Sequence, residues 1–274
     1  MIPRRIALAL PALLLARTAR AAIPAESLTQ GGLTQGGFAS GRVAPGTRLS
    51  LDGRALRVGP GGEYAFGFSR DHGPEAMLTI NAPNGRTEHQ RLAIARRDWP
   101  TQRITGLPPA QVTPDPEALR RITAERERLA AARATDSPRT DFAAGFILPA
   151  HGRISGVFGS QRILNGEPRQ PHFGFDIAAP TGTPLLAAAG GVVTLAGDFF
   201  FFGKIVVIDH GHGVNTLYAH MSAQAVTEGQ QVAAGQRIGA IGATGRVTGP
   251  HLHFGFSWYT TWLDAQPVLP PVTG

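Results

Sequence analysis

Apolar and polar residues alternate in short runs over residues 41–97 of the chain. Within each run the apolar residues occupy every second position, which places them on one face of a β-strand. Tyr64, Phe66 and Phe68 form one such run, and Asn84-Gly85 is one of the turn signals between runs. Short strands with turns roughly every eight to twelve residues are typical of a small antiparallel sandwich. We therefore predict such a sandwich in the first part of the chain.

A second β pattern begins near residue 142, where glycines separate short runs rich in Val and Ile. Runs of this kind, bounded by turn residues, are typical of strands in a compact and mostly antiparallel β domain. The predicted strands are Gly191 to Leu195, Lys204 to Asp209, Asn215 to His220, Arg237 to Ile241 and His251 to Phe256.

The segment between the two β patterns has a different composition. Its start is stiffened by Pro108, Pro109, Pro114 and Pro116. Residues 117–133 are rich in helix formers, but their apolar positions give only a sparse stripe. We predict a single helix here, with residues 125–128 on a solvated face, because a coiled coil would need several heptads.

The first residues have the order of charged, apolar and small residues that marks a secretory signal peptide. Arg4 and Arg5 precede an apolar run over residues 6–16, and Ala19-Arg20-Ala21 fits a cleavage site. The run is too short to cross a bilayer as a mature helix, so we expect no stable membrane insertion after processing. The arginine pair leaves both the general and the twin-arginine export routes open.

These patterns divide the chain into four parts. They are a signal peptide at 1–21, a small Ig-like antiparallel β-sandwich at 22–105, a Pro-rich and helical linker at 106–140, and a β domain at 141–274. Cysteine is absent, which excludes a lipid anchor on a processed cysteine and leaves stability to packing alone. Removal of 1–21 takes away four arginines and no acid, and lowers the net charge from +7 to about +3. This mild charge, without a basic stripe interleaved with aromatics, does not indicate nucleic-acid binding. No pattern predicts an oligomeric state.

Two clusters in the last part carry residues that can bind a metal: His172-Phe-Gly-Phe-Asp176 and His251-Leu-His253. On a strand, His251 and His253 would project into the same site. His172 and Asp176 would lie roughly 13 Å apart on a regular strand, so Gly174 must be a bend that returns His172 towards Asp176. Imidazole and carboxylate suit zinc, which in catalytic sites has three protein ligands and one position for water. The clusters can therefore close on one zinc ion and leave one histidine beside it.

Further histidines lie between the two clusters. His220 ends a strand-like run, and beside a zinc site a free imidazole can transfer a proton and stabilise an oxyanion. His210 and His212 flank a glycine, and we interpret them as a tight turn whose side chains can at most support the ligands.

Two groups of aromatic residues allow two interpretations each. Residues 199–202 are four consecutive phenylalanines, which either border a substrate groove or pack alternate rings into the core. Trp258, Tyr259 and Trp262 pose the same choice. Asn165, in a Gly-adjacent loop before the first cluster, could bound the groove.

Over residues 145–264 the chain resembles the lysostaphin/LytM-type family of zinc metallopeptidases, which cut peptidoglycan peptides. Four ordered blocks carry the resemblance: His172–Pro184, Val206–Gly211, Thr216–Ser222 and Gly249–Phe254. The resemblance implies that His172, Asp176 and His253 bind one zinc ion and that His220 and His251 are catalytic. It also implies a β-rich catalytic domain with a long open groove.

The expected function is that of an exported zinc endopeptidase, periplasmic or wall-associated, which hydrolyses the peptide crosslinks of peptidoglycan. Zinc would activate its bound water, and the two free histidines would handle protons and the oxyanion, in an order the sequence leaves open. The alternative is a non-catalytic module that binds the wall or activates an amidase through the same groove. The complete ligand set favours the enzyme, because a pure binder has no physical need for it. The first β region could act as a spacer, an inhibitor or a partner-binding module. The sequence does not determine which crosslink is cut, and by association alone we expect the D-Ala–diaminopimelate class.

Overall fold

The computed structural model describes residues 32–106 and 113–271. The predicted signal peptide and the first prolines of the linker lie outside these residues. Within them, none of the helices has the length and apolar character needed to cross a membrane. The described chain is mostly β, with one α-helix, which confirms the predicted fold class.

The N-terminal region contains six short strands, all paired antiparallel. They are β1 (Phe38–Arg42), β2 (Arg48–Leu51), β3 (Arg54–Leu56), β4 (Glu63–Gly67), β5 (Glu75–Asn81) and β6 (Thr87–Ala93). One sheet has the order β3-β2-β5-β6, and β1 pairs with β4. Antiparallel strands are thus confirmed, and the Ig-like arrangement stays a prediction.

The N-terminal region packs directly on the C-terminal domain. Phe38 of β1 meets Phe256 edge to face, with ring centroids 5.0 Å apart. A Cβ atom on Gly67 would lie only 2.5 Å from Cδ1 of Leu263, so the strand approaches as closely as a glycine permits. Strand β4 is therefore buried on both faces, although only its aromatic positions were expected to be inside. A single hydrophobic core runs through both regions.

Helix α1 (Pro116–Arg133) begins at an N-cap on Asp115, whose side chain accepts a hydrogen bond from Ala118 N. Proline at the first helical position fits there because its missing N–H would have no partner in the helix. The interpretation of residues 125–128 as a solvated face is wrong for Glu125. Its carboxylate accepts a hydrogen bond from Phe200 N at 2.8 Å, which ties the helix to the phenylalanine run.

The C-terminal domain is built around one large antiparallel sheet. Its strands are β8 (Arg153–Gly156), β11 (Phe175–Ala178), β12 (Pro184–Leu186), β13 (Gly191–Phe199), β14 (Gly203–Asp209), β15 (Val214–Gln224), β16 (Gln231–Val232), β17 (Arg237–Ile241), β18 (His251–Trp258) and β19 (Thr261–Leu263). The main path of the sheet is β16-β13-β14-β15-β18-β11-β8. All five predicted strands are present, and three of them are longer than predicted by two or more residues.

A short strand before the linker joins the edge of this domain. Strand β7 (Thr101–Ile104) pairs in parallel with β9 (Gln161–Leu164), which in turn pairs with β10 (Glu167–Pro168). Asn165 and Gly166 form the tight β9–β10 turn with φ of +49° and +89°. Strand β7, which precedes the helical linker, thus lies beside the segment that precedes the first histidine cluster.

Candidate metal centre

The sheet brings the two sequence clusters together. Strands β11 and β18 are antiparallel neighbours, and their register makes Asp176 the direct partner of His253 and Ala178 the partner of His251. His172 lies in the loop before β11, with a bend at Gly174, as predicted.

Three potential ligand atoms form a nearly equilateral triangle. His172 Nε2 lies 3.0 Å from Asp176 Oδ1, His253 Nδ1 lies 2.9 Å from the same oxygen, and the two nitrogens are 3.1 Å apart. Zinc with bonds of about 2.0 Å in a tetrahedral shell needs ligand atoms roughly 3.3 Å apart. The buried donor set and its spacing therefore fit a single zinc ion. Among the described residues, these three form the one cluster of His, Asp or Glu side chains whose ligand atoms lie close enough to hold a metal.

The protonation of the site suits a metal. His172 Nδ1 lies 3.0 Å from the carbonyl oxygen of Val157, which can only accept, so this nitrogen carries the proton and Nε2 presents a lone pair. Burial lowers the pKa of His253 to about 4, so its ring is neutral at neutral pH. Burial alone would raise the pKa of Asp176, but the adjacent imidazoles of His172 and His253 outweigh it and hold the pKa well below its ordinary value.

At two glycine positions the backbone lies so close to the proposed ligands that a side chain would not fit. A Cβ atom on Gly174 would lie 2.2 Å from His253 Cε1, and one on Gly156 would lie 2.4 Å from Asp176 Oδ2. Gly174 has no left-handed backbone, so its role is to leave room for the imidazole as well as to bend the chain.

His220 is placed by an irregularity in strand β15. Between the pairs Lys204–Met221 and Val206–Tyr218, β15 has one residue more than β14, which is a β-bulge. His220 occupies this bulge with φ of +62°, a left-handed backbone conformation that residues other than glycine rarely adopt. The bulge turns His220 towards the metal site, where its ring centroid lies 5.8 Å from that of His253.

His220 and His251 form a pair beside the ligands, with ring centroids 4.8 Å apart. Each donates its Nδ1 proton to a backbone carbonyl, of Thr244 at 2.8 Å and of Gly249 at 2.9 Å respectively. Each Nε2 is consequently the basic nitrogen. Burial, together with the nearby His253 and His251, lowers the pKa of His220 well below its ordinary value.

His210 and His212 lie elsewhere. His210 is buried in the core and contacts the Gly190 carbonyl through Nδ1 at 2.6 Å and the Thr216 hydroxyl through Nε2 at 2.7 Å. The ring of His212 lies against Phe142. Neither histidine has a hydrogen bond to a ligand among the described residues, so neither acts as the supporting group that the sequence allowed.

Some of the aromatic residues lie beside the candidate site and others pack into the core, the two interpretations that the sequence left open. Phe202 lies beside the metal site, 5.8 Å from the ring centroid of His253, whereas Phe199 is buried in the core. Trp258 is also buried in the core. Trp262 packs against the Arg133 guanidinium, 3.4 Å from its ring centroid.

A cavity of about 120 Å³ opens beside Asp176, His220 and His251. Its lining also includes residues that sequence reasoning missed: Gln102 and Ile104 of β7, Arg162 of β9, and Arg246 in the loop between β17 and β18. Their local sequence gives no signal, because an arginine on a short polar strand is ordinarily a surface residue.

Comparison with known proteins shows that the chain is similar to peptidases. Residues 170–267 match the model of peptidase family M23. The DD-carboxypeptidase/endopeptidase Mpg of Neisseria meningitidis is 46% identical over 118 residues, which are 43% of this chain and 26% of Mpg. The peptidoglycan DD-endopeptidase ShyA of Vibrio cholerae is 47% identical over 103 residues, which are 37% of this chain and 24% of ShyA. The chain thus matches about a quarter of the length of these relatives.

A solved structure extends the similarity to most of the chain. The crystal structure of a Pseudomonas aeruginosa protein assigned to peptidase M23 is 30% identical, with a TM-score of 0.67. The match covers 89% of this chain and 95% of that one, so it includes the N-terminal region as well as the C-terminal domain.

Proposed function

The chain belongs to peptidase family M23, a metallopeptidase family, and on that premise we propose that it is an exported, zinc-dependent endopeptidase that hydrolyses peptide crosslinks of bacterial peptidoglycan. The observation that carries the proposal is the ligand triangle of His172, Asp176 and His253 with two non-ligand histidines beside it. The names of Mpg and ShyA support peptidoglycan as the substrate. The signal-peptide pattern over residues 1–21 supports export to the periplasm or the wall.

His172, Asp176 and His253 would hold the metal. When bound, zinc supplies a Lewis acid and lowers the pKa of its water to about 7. His220 and His251 would act from outside the ligand set through their Nε2 atoms. A neutral imidazole in this position can accept a proton from the attacking water, and after protonation it can stabilise the oxyanion or deliver the proton to the leaving amine.

The hydrogen bonds of the two histidines leave Nε2 as the ring nitrogen that can accept a proton. The Nδ1 protons of His220 and His251 are committed to backbone carbonyls, which fixes the tautomer and the ring orientation. The burial that lowers the pKa of His220 keeps its imidazole neutral at neutral pH.

The test is digestion of diaminopimelate-type peptidoglycan by the zinc-loaded chain from residue 22 onward, with products identified by mass spectrometry. We expect crosslinked dimers to become monomers, and we expect His220→Asn to abolish the conversion. His151→Ala, which changes an exposed histidine, is the matched control and should retain activity. If the chain binds one zinc ion and peptidoglycan but cuts no crosslink, the proposed enzymatic function is contradicted and the non-catalytic binding module is favoured.

A further inference from the structure

The loop between β17 and β18 holds both histidines that lie beside the proposed ligands. This loop spans residues 242–250. Nδ1 of His220 lies 2.8 Å from the carbonyl oxygen of Thr244, and Nδ1 of His251 lies 2.9 Å from that of Gly249. A carbonyl oxygen can only accept a hydrogen bond, so each ring donates to this loop. Two rings from different strands therefore take their orientation from one loop.

The two contacts differ in what keeps them in place. Gly249 precedes His251 by two residues, so the chain itself holds this carbonyl near the ring. Thr244 is 24 residues away from His220 along the chain, and its carbonyl reaches the ring only because the loop is fastened to β14 and β15. The orientation of His220 consequently depends on the contacts that fasten Thr244.

The side chain of Thr244 makes such a contact. Its Oγ1 accepts a hydrogen bond from Lys204 N at 3.0 Å and donates one to the carbonyl oxygen of Met221 at 2.8 Å. Lys204 and Met221 are the paired residues at one end of the β-bulge that carries His220. A bulge disrupts the backbone ladder, and a hydroxyl can both accept and donate. The hydroxyl of Thr244 thus joins the loop to one backbone group on each of the two strands.

The backbone approaches this hydroxyl closely. A Cβ atom on Gly203, the first residue of β14, would lie only 2.2 Å from Thr244 Oγ1. Gly203 also has φ of +58°, which residues other than glycine rarely adopt. Strand β14 therefore comes within hydrogen-bond distance of Oγ1 because no side chain stands between them.

Backbone hydrogen bonds surround the same place. The amide of His220 donates to the carbonyl oxygen of Phe202 at 2.8 Å, and the amide of Arg246 donates to that of Phe201 at 2.9 Å. The turn before β14, the bulge and the loop are thus in direct contact. The link through Thr244 Oγ1 is made by a side chain, so a substitution can remove it while the backbone bonds stay.

Thr244 lies outside the cavity beside the site. The described residues that line this cavity include Val247 and Thr248 of the same loop, but not Thr244. An effect of Thr244 on the reaction would therefore pass through His220 and not through contact with a substrate in the cavity.

We propose that Thr244 is a positioning residue, whose hydroxyl holds the carbonyl that orients the His220 ring. The inference rests on the proposed endopeptidase function, in which His220 transfers protons, and it adds a residue on which that role depends. A displacement of a reacting group by about 1 Å can cost roughly 100-fold in rate. Loss of the hydroxyl should thus lower kcat and leave KM nearly unchanged.

The test compares substitutions at Thr244 in the zinc-loaded chain from residue 22, with a crosslinked diaminopimelate-type muropeptide dimer as substrate. Thr244→Val keeps the shape of the side chain, and Thr244→Ala removes the hydroxyl without placing a methyl group against Lys204 N. We expect both to lower kcat by about tenfold or more, with KM changed by less than about twofold. Thr244→Ser keeps the hydroxyl and should retain most of the activity. Thr227→Val, at an exposed threonine, is the matched control and should equal the unmodified chain.

A second readout follows the ring of His220 itself. NMR of the histidine ring nitrogens at neutral pH distinguishes a proton on Nδ1 from one on Nε2. The signals of His220 are identified by their absence from the spectrum of His220→Asn. The unmodified chain and Thr244→Ser should carry the proton on Nδ1, whereas Thr244→Val and Thr244→Ala should show a mixture of both tautomers. Metal analysis should find one zinc ion per chain in every variant, and circular dichroism verifies folding.

The outcomes separate this inference from the function on which it rests. A folded Thr244→Val chain with unchanged kcat, or with a single unchanged tautomer of His220, would overturn the proposal. An equal loss of kcat in Thr244→Ser would overturn it too, because the hydroxyl would then not be the cause. A loss of zinc that accounts for the lost activity would assign Thr244 to general support of the site instead. If the unmodified chain cuts no crosslink, the endopeptidase is overturned, and the tautomers still decide whether Thr244 orients His220.

Discussion

Asp176 and His253 face each other across the antiparallel strands β11 and β18, with Oδ1 and Nδ1 2.9 Å apart. The backbone ladder sets the separation of these two proposed ligands, so it does not depend on a loop. His172 is the proposed ligand outside a strand, and its Nδ1 bond to the Val157 carbonyl orients the ring. Single substitutions can therefore test the parts of the site separately.

Asp176→Asn should remove metal binding without unfolding the chain. The substitution keeps the shape of the side chain and the β11–β18 register, but it replaces an anionic ligand with a neutral amide. We expect zinc affinity to fall by more than the roughly 10- to 100-fold that loss of an outer supporting group costs. Metal analysis after dialysis measures the effect, with circular dichroism to verify folding. Full zinc content in a folded variant would contradict the ligand assignment.

Gly174→Ala should damage the site through contact alone. The added methyl group would lie 2.2 Å from His253 Cε1, so the imidazole must move away from the ligand triangle. We expect weaker zinc binding and a loss of activity of about tenfold or more. Gly73→Ala is the matched control, because its methyl group would meet nothing within 4 Å and its φ is not left-handed. A variant as active as this control would refute the steric role of Gly174.

The positive φ of His220 predicts that two inactive variants at this position differ in stability. The left-handed conformation costs a residue with a side chain roughly 1–2 kcal/mol, a cost that glycine does not carry. His220→Gly and His220→Ala should both lose activity, since each removes the imidazole. The glycine variant should nevertheless be about 1 kcal/mol more stable than the alanine variant in urea unfolding. Equal stability would show that the bulge relaxes when the imidazole is absent.

The local sequence predicts the ligands and most of the strands, but not the arrangement around them. His251 and His253 share a face because side chains alternate along any strand, and this needs no knowledge of the partner strand. The bulge at His220 depends on the register between β14 and β15, which no short pattern encodes. The same holds for β7, whose parallel pairing joins Thr101 to Gln161, and for the approach of Arg162 to Asp176. These relationships arise from long-range packing, so the cavity that they form could not be predicted.

Acid should destabilise the chain partly through His210. Burial lowers its pKa in the folded state to about 4, against an ordinary value of 6.5, so the unfolded chain takes up the proton first as the pH falls. The contribution of neutral His210 is complete above about pH 6.5 and is lost progressively as the pH falls towards 4, for a total of about 3 kcal/mol. Urea unfolding at several pH values measures this loss. His210→Gln should be less stable at neutral pH but lose less stability between pH 6.5 and 4 than either the unmodified chain or the exposed control His151→Gln. Parallel pH curves for all three would contradict the prediction.

The shared core predicts that the N-terminal region and the C-terminal domain unfold together. Phe38 is fully buried and contacts both Phe256 and Phe146 of the C-terminal domain. Phe38→Ala should therefore lower the free energy of unfolding by about 3–5 kcal/mol, the cost of a large cavity in a packed core. The loss should shift a single transition, followed by near-ultraviolet circular dichroism and by the fluorescence of Trp99, Trp258 and Trp262. Met77→Ala, at a position 36% exposed, should change the stability by less than about 1 kcal/mol. Two separate transitions, with only the earlier one moved by Phe38→Ala, would show that the regions are independent.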